Sequence, residues 1–211
     1  MHFERPFFPP EDFKRVAIGL EENLKQLPQA PEGHISPDQA EFLYHLVRLI
    51  RPGFVVETGF CVGHSACVIL RAQESVDLRP HLLSIDNCRF EETKKASDIV
   101  KNWFDGFTLV EGDSKEVLES VVNAYLKKNE GLTLDFALVD GGHDEKTAMS
   151  DLETLSAFLI NGGYLWLDDF DKVVPCFGVN KAGRAFARQW GACQRFRTKD
   201  TRGFMLFQKA F

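Results

Sequence analysis

The 211 residues predict a single α/β domain: a doubly wound, mostly parallel sheet with helices on both faces and an antiparallel C-terminal hairpin strand. Three observations carry this. Short apolar runs of strand length alternate with segments of helical periodicity through the middle of the chain. Acids close several of those runs (Glu57, Asp86, Asp140, Asp168), marking the carboxyl edge where an open α/β sheet holds its ligand. The chain then ends in two strand-like segments, Cys193–Arg197 and Gly203–Gln208, on either side of a turn.

The elements follow in order. Residues 1–9 are aromatic and proline-rich, and Phe13, Val16, Ile18, Leu20, Leu24 and Leu27 mix with charges in helical fashion. Residues 1–35 therefore read as an N-terminal extension with a helix, ahead of a domain over 36–211. Ser36-Pro37-Asp38-Gln39 is a helix start, with a serine cap, proline in the first turn and glutamine at the capping-box position. Ala40, Leu43, Leu46, Val47 and Ile50 share one face of that helix, and Arg51-Pro52-Gly53 ends it. Residues 54–57 form the first buried strand, followed by a glycine turn and a helix near 65–72. Residues 81–85 form the second strand, closed by Asp86. A helix over 91–103, a strand over 107–110 and a helix over 115–127 come next. Leu134–Val139 is a strand closed by Asp140. Ala148, Met149, Leu152, Leu155 and Leu159 then recur at helical spacing, with Asn161-Gly162-Gly163 as the helix stop. Residues 164–167 form a strand closed by Asp168 and Asp169. Residues 179–190 are helical, with Ala182, Ala185, Phe186 and Trp190 on one face.

Composition narrows the function. The net charge of −6 disfavours nucleic acid as a partner, because binding phosphate needs a basic face. No run of about 18 apolar residues is present, so no membrane span is expected, and MHFERPFFPP, with early acid and proline and no apolar segment, is not expected to act as a secretory signal. Five cysteines, an odd number with no Cys-x-x-Cys pair, argue against zinc and against a disulfide framework, and for a reducing cytoplasm.

Two constellations carry chemistry. The first runs from Glu57 through Gly59 and Gly63 to Ser65: a strand, a Gly-x-x-x-Gly turn and a helix whose first amides can hold an anionic group. Asp86 closes the next strand, where a carboxylate can accept ribose hydroxyls. The dinucleotide fingerprint would need glycine at position 61, where Cys61 stands, so a nicotinamide-dependent oxidoreductase lacks its pyrophosphate site. Gly63-His64-Ser65-Ala66-Cys67 approaches a hydrolase elbow but follows the first strand and lacks the last glycine. The second constellation is Asp140, Asp168 and Asp169 with His143. Three acids at two adjacent strand ends crowd like charges unless a cation or a proton intervenes, and they suit an oxygen-liganded Mg²⁺ or Ca²⁺.

Together these residues resemble the class I S-adenosylmethionine (SAM)-dependent methyltransferases, closest to the small metal-dependent, catechol-type O-methyltransferases and related bacterial families. The resemblance covers roughly residues 36–211. It implies a donor site of Glu57, Gly59, Gly63, Ser65, Asp86, Asp113 and Ser114, with Ser65 at the methionine carboxylate, Asp86 at the ribose and Gly112-Asp113-Ser114 on the adenine side. It implies a Mg²⁺ site of Asp140, Asp168 and Asp169, the last position being often Asn in relatives. It places His143 where relatives often carry a lysine base, so His143 and Asp140 are the expected catalytic residues. Histidine titrates near neutrality, which suffices for a hydroxyl acidified by a metal. The expected activity is methyl transfer to a hydroxyl oxygen of a small molecule. A non-catalytic protein that keeps the donor pocket is the other reading. The acceptor has no motif of its own, and the apolar N-terminus could pack against a second copy of the chain.

Overall fold

The computed structural model describes residues 22, 24–29, 35–171, 176–190, 193–197 and 203–210. The expected helix before residue 27 lies almost wholly outside these. The described chain runs α1 (Pro37–Ile50), β1 (Val55–Thr58), α2 (His64–Glu74), β2 (Leu82–Asp86), α3 (Glu91–Trp103), β3 (Phe107–Glu111), α4 (Ser114–Lys128), β4 (Leu134–Val139), α5 (Glu145–Phe158), β5 (Leu159–Leu167), α6 (Phe177–Trp190), β6 (Cys193–Arg197) and β7 (Gly203–Gln208). The sheet has the order β3-β2-β1-β4-β5-β7-β6. Strands β1 to β5 pair in parallel, and β7 runs antiparallel to both β5 and β6. Strand order reverses between β1 and β4, which makes that junction the switch point where a ligand crevice opens.

Each face of the sheet is sealed by its own apolar layer, and the strands feed both layers alternately. Val55, Leu82, Phe136, Leu138, Trp166, Phe204 and Leu206 point to the side packed with residues of α1, α2 and α3. Val56, Leu83, Ala137, Val139, Leu165, Leu167, Met205 and Phe207 point to the side of α4, α5 and α6. This is the two-residue side-chain period of a strand, with both faces dry. Trp166 is the largest buried side chain, and its ring stacks on Phe204 at 3.6 Å.

The start of α1 forms as its sequence predicts. Ser36 Oγ accepts from the Gln39 amide, and the Gln39 side chain accepts from the Ser36 amide. The end of α5 does not. The helix stops at Phe158, Leu159 already belongs to β5, and Asn161-Gly162-Gly163 lies inside the strand as a bulge. Pairing with β4 jumps from Leu134–Leu159 to Phe136–Tyr164. The Gly162 amide donates to the Lys209 carbonyl and the Lys209 amide donates to the Gly163 carbonyl, so the glycines continue the sheet. Lys209 Nζ donates to the carbonyls of Ser156 and Leu159, and this ammonium is what closes the helix.

Removing the central ring should show how far the core can relax. Trp166→Ala is expected to lower stability by about 3–5 kcal/mol, read from the urea midpoint at unchanged m-value.

Candidate active site

A cavity of about 580 Å³ opens over the carboxyl ends of β1, β2, β3 and β4. That volume is in the range of small-molecule sites. Of the residues expected at the donor, Gly59, Asp86, Asp113 and Ser114 line it, and Asp140, His143, Asp168 and Asp169 line it on the other side. Ser65 lines a small recess beside it, together with Asp140 and Asp168. Glu57 and Gly63 line neither.

The turn after β1 is built by backbone geometry and by one carboxylate. Gly59 has φ 88°, and a Cβ there would stand 1.9 Å from the Asp140 carbonyl oxygen. Glycine is therefore required first by the close approach of β1 to β4. Cys61 adopts φ 50°, uncommon for a residue with a side chain. Asp86 holds this conformation: its Oδ2 accepts from the amides of Phe60 at 2.8 Å and Cys61 at 2.9 Å, and its Oδ1 accepts from Cys88 at 2.7 Å. A carboxylate offers about four acceptor positions, so little is left for a ribose hydroxyl. Asp86 thus shapes the donor turn as well as facing the cavity. Asp113 caps α4 by accepting from the Lys115 amide, which leaves Ser114 at the first position of the helix. Arg89 and Phe90, just before α3, also line the cavity, and the sequence did not single them out.

Two buried acids lie under the cavity. Glu57 is wholly buried and accepts from Ser65 Oγ at 3.0 Å and Ser84 Oγ at 2.5 Å. Burial pushes its pKa up to about 7, the serine hydroxyls pull it back only partly, and Asp86 adds to the rise. Glu57 therefore acts through Ser65, which it orients toward the recess. Asp151, on α5, is the residue sequence reasoning missed. It is wholly buried beneath Gly141 and Thr58. Burial pushes its pKa up to about 6, against the favourable influence of the Ser114 and Thr58 hydroxyls. Neither hydroxyl reaches it with good hydrogen-bond geometry. The available signal was an acid inside the apolar stripe Ala148, Leu152 and Leu155.

The other side of the cavity departs from a three-carboxylate metal site. Asp168 Oδ1 accepts from Gln39 Nε2 at 2.7 Å and from Trp166 Nε1 at 3.3 Å. Asp169 follows in the left-handed region (φ 53°), and its Oδ2 lies 3.4 Å from His143 Nε2 and 3.6 Å from Cys176 Sγ. Among the described residues, the one set of three His, Cys, Asp or Glu ligand atoms within 4.8 Å of one another is His143, Asp169 and Cys176. Asp140 and Asp168 are not in it. All three aspartates nevertheless line the same cavity. His143 is half exposed at the cavity wall, directly before Asp144, whose carboxylate caps α5. Of the basic residues near the C-terminus, Arg184 pairs with Asp171, Lys181 pairs with Glu145, and Arg195 lies over Phe170. Lys199 and Arg202 lie outside the described residues.

A seven-stranded sheet of this order, with its cavity at the β1–β4 switch point and an acid closing β2, is the architecture of the class I methyltransferases. The chain belongs to the methyltransferase-domain family, whose model matches residues 56–170. No curated relative matches it. Among solved structures, it is similar to an O-methyltransferase from Bacillus cereus in complex with SAH (18% identity, 97% of this chain and 94% of that one, TM-score 0.62). It is also similar to TomG, an O-methyltransferase from Streptomyces achromogenes involved in tomaymycin synthesis, in complex with SAM (18%, 98% and 93%, TM-score 0.64). A third likeness is to an SAH-bound methyltransferase from Podospora anserina (15%, 100% of both chains, TM-score 0.67). No helix among the described residues is long and apolar enough to cross a membrane.

The buried acids give stability a defined pH dependence. Glu57 and Asp151 have folded pKa values above their ordinary ones, so the folded state binds more protons and their contribution worsens as pH rises from about 4, levelling off above about 6 to 7. Glu57→Gln removes one of them. Relative to the wild type, the variant should gain roughly 2 kcal/mol between pH 5 and pH 7.5, measured by urea denaturation at both values.

Proposed function

We propose that the chain transfers the methyl group of SAM to a hydroxyl oxygen of a small-molecule acceptor. The observation that carries the reading is one cavity with Gly59, Cys61 and Asp86 on one side and His143 with Asp169 on the other. The donor would lie along the turn. Its carboxylate would meet Ser65 and the first amides of α2, where backbone N–H groups favour an anion. Its ribose would take the remaining acceptor position of Asp86. Its adenine would lie between Phe90 and Ser114, over the capped start of α4.

Methyl transfer from a sulfonium needs no covalent enzyme intermediate. The bond from sulfur to the methyl carbon breaks as the bond from oxygen to that carbon forms, and the acceptor loses one proton. Holding the two reactants in line supplies most of the acceleration. The half-exposed imidazole of His143 is placed to take the proton, and Asp169, 3.4 Å from its Nε2, would stabilise the imidazolium that results. The likeness to O-methyltransferase structures and the family membership support this reading.

Calorimetry with SAM and SAH tests the donor half: both should bind at one site, and Asp86→Ala should weaken them by tenfold or more. Failure of the wild type to bind either would overturn the reading. For the acceptor half, His143→Ala should lower kcat by about 10²–10⁴-fold with the SAH Kd unchanged, measured against a panel of phenolic and other hydroxyl acceptors. Donor binding without turnover on that panel favours a non-catalytic donor-binding protein.

A further inference from the structure

The set formed by His143, Asp169 and Cys176 brings a thiol to a place where the sequence pattern offered only oxygen ligands and a base. We propose that His143 Nε2, Asp169 Oδ2 and Cys176 Sγ form a site for one divalent cation of the borderline class, Zn²⁺ or Co²⁺, with its fourth position open to the cavity. Two of the three separations suit it. Tetrahedral zinc with nitrogen and oxygen at about 2.0–2.1 Å and sulfur at about 2.3 Å puts nitrogen and oxygen ligands about 3.4 Å apart, and oxygen and sulfur ligands about 3.6 Å apart. The separations here are 3.4 Å from His143 Nε2 to Asp169 Oδ2 and 3.6 Å from Asp169 Oδ2 to Cys176 Sγ. All three ligand atoms lie within 4.8 Å of one another. One nitrogen, one oxygen and one sulfur select against Mg²⁺ and Ca²⁺, which take oxygen, and for a borderline ion.

The fold builds the set from three separate elements. Asp169 turns out of β5 in the left-handed region, which aims it back at the start of α5. His143 lies in the turn before α5. Cys176 sits immediately before α6, where Gly178 lets that helix approach: a Cβ at Gly178 would stand 2.4 Å from the His143 carbonyl oxygen. Cys176 and Asp169 are buried while His143 and Asp169 face the cavity, so the set is closed behind and open in front. That is the pattern of a three-ligand catalytic zinc site rather than a closed structural one. An ion there would acidify an acceptor hydroxyl in the open position, and His143 would then serve as ligand instead of base. Binding of the cation stands independently of the methyl-transfer reading; its use in the reaction rests on that reading.

The test is titration of chelator-treated, full-length protein with Co²⁺, followed by absorption. One equivalent should give a thiolate-to-cobalt charge-transfer band with visible bands of tetrahedral strength, and Zn²⁺ should bleach both. Cys176→Ser should abolish the charge-transfer band. His143→Ala and Asp169→Asn should each weaken Zn²⁺ by at least the 10–100-fold that losing even an outer-shell partner costs. Absence of a thiolate band in the wild type, its survival in Cys176→Ser, or displacement of Co²⁺ by millimolar Mg²⁺ would each overturn the assignment. SAH calorimetry on the same samples separates the two ideas. Cobalt binding with no SAH binding sinks the donor reading alone, whereas SAH binding with no cobalt band sinks the cation site alone. Unchanged SAH affinity in Cys176→Ser shows that the variant is folded.

Discussion

The contact on which the rest of the site depends is the approach of Gly59 to the backbone of Asp140. The Asp140 amide donates to the Thr58 carbonyl and the Gly59 amide donates to the Ile85 carbonyl, so β1 is held to both neighbours up to its last residue. With a Cβ at Gly59 only 1.9 Å from the Asp140 carbonyl, no other residue leaves β1 in that direction without parting the strands. That junction dictates the path of the chain beyond it. The backbone must turn sharply, Cys61 is forced into the left-handed region, and Asp86 supplies acceptors for the two amides the turn exposes. On the far side, the same junction fixes the backbone of Asp140 and Gly141, from which His143 and the α5 cap are only a few residues away. The two walls of the cavity are therefore positioned by one strand pair.

Beneath that junction the protein accepts an electrostatic penalty. Glu57 and Asp151 are wholly buried, and burial raises both pKa values by the ordinary desolvation of a charge. Apolar residues of similar size would be easier to hold there. What the acids provide is direction. Glu57 ties Ser65 on α2 to Ser84 on β2, across the sheet face under the donor turn. Asp151 faces the hydroxyls of Thr58 and Ser114, which belong to the two sides of the same cavity. Glu57 thus couples α2 to β2, and a protonated carboxyl can do this as donor and acceptor at once.

Much of this was legible in the residues. Strands β1 to β5 and the helices between them follow from period and length, and the capping box of α1 is written in Ser36 and Gln39. The donor turn and Asp86 were recognisable because they are local: a strand, glycines at a fixed spacing, and an acid closing the next strand. Asn161-Gly162-Gly163 misled, since a glycine pair ends a helix or bulges a strand equally well, and only Lys209, far along the chain, decides between them. Cys176 was illegible for a related reason. Cysteine spacing detects metal sites whose ligands lie close in sequence. Here the ligands come from three elements brought together by Gly178 and by the backbone of Asp169, neither of which a spacing rule reads. Gln39 is similar: it was legible as a capping residue, but not as the donor that holds Asp168.

Asp168 ties the cavity wall into the rest of the fold. Its Oδ1 receives two neutral donors, Gln39 Nε2 and Trp166 Nε1, and both are fixed by other duties. Gln39 closes the capping box of α1, and Trp166 is stacked on Phe204 in the core. Losing Asp168 Oδ1 would leave both buried donors unsatisfied, at about 1–3 kcal/mol each. Asp169 carries no such tie to α1 or to the core tryptophan. Its left-handed backbone points it the other way, toward His143 and Cys176. Two adjacent aspartates at one strand end are thus divided between two tasks, the first fastening α1 to the sheet and the second facing the acceptor.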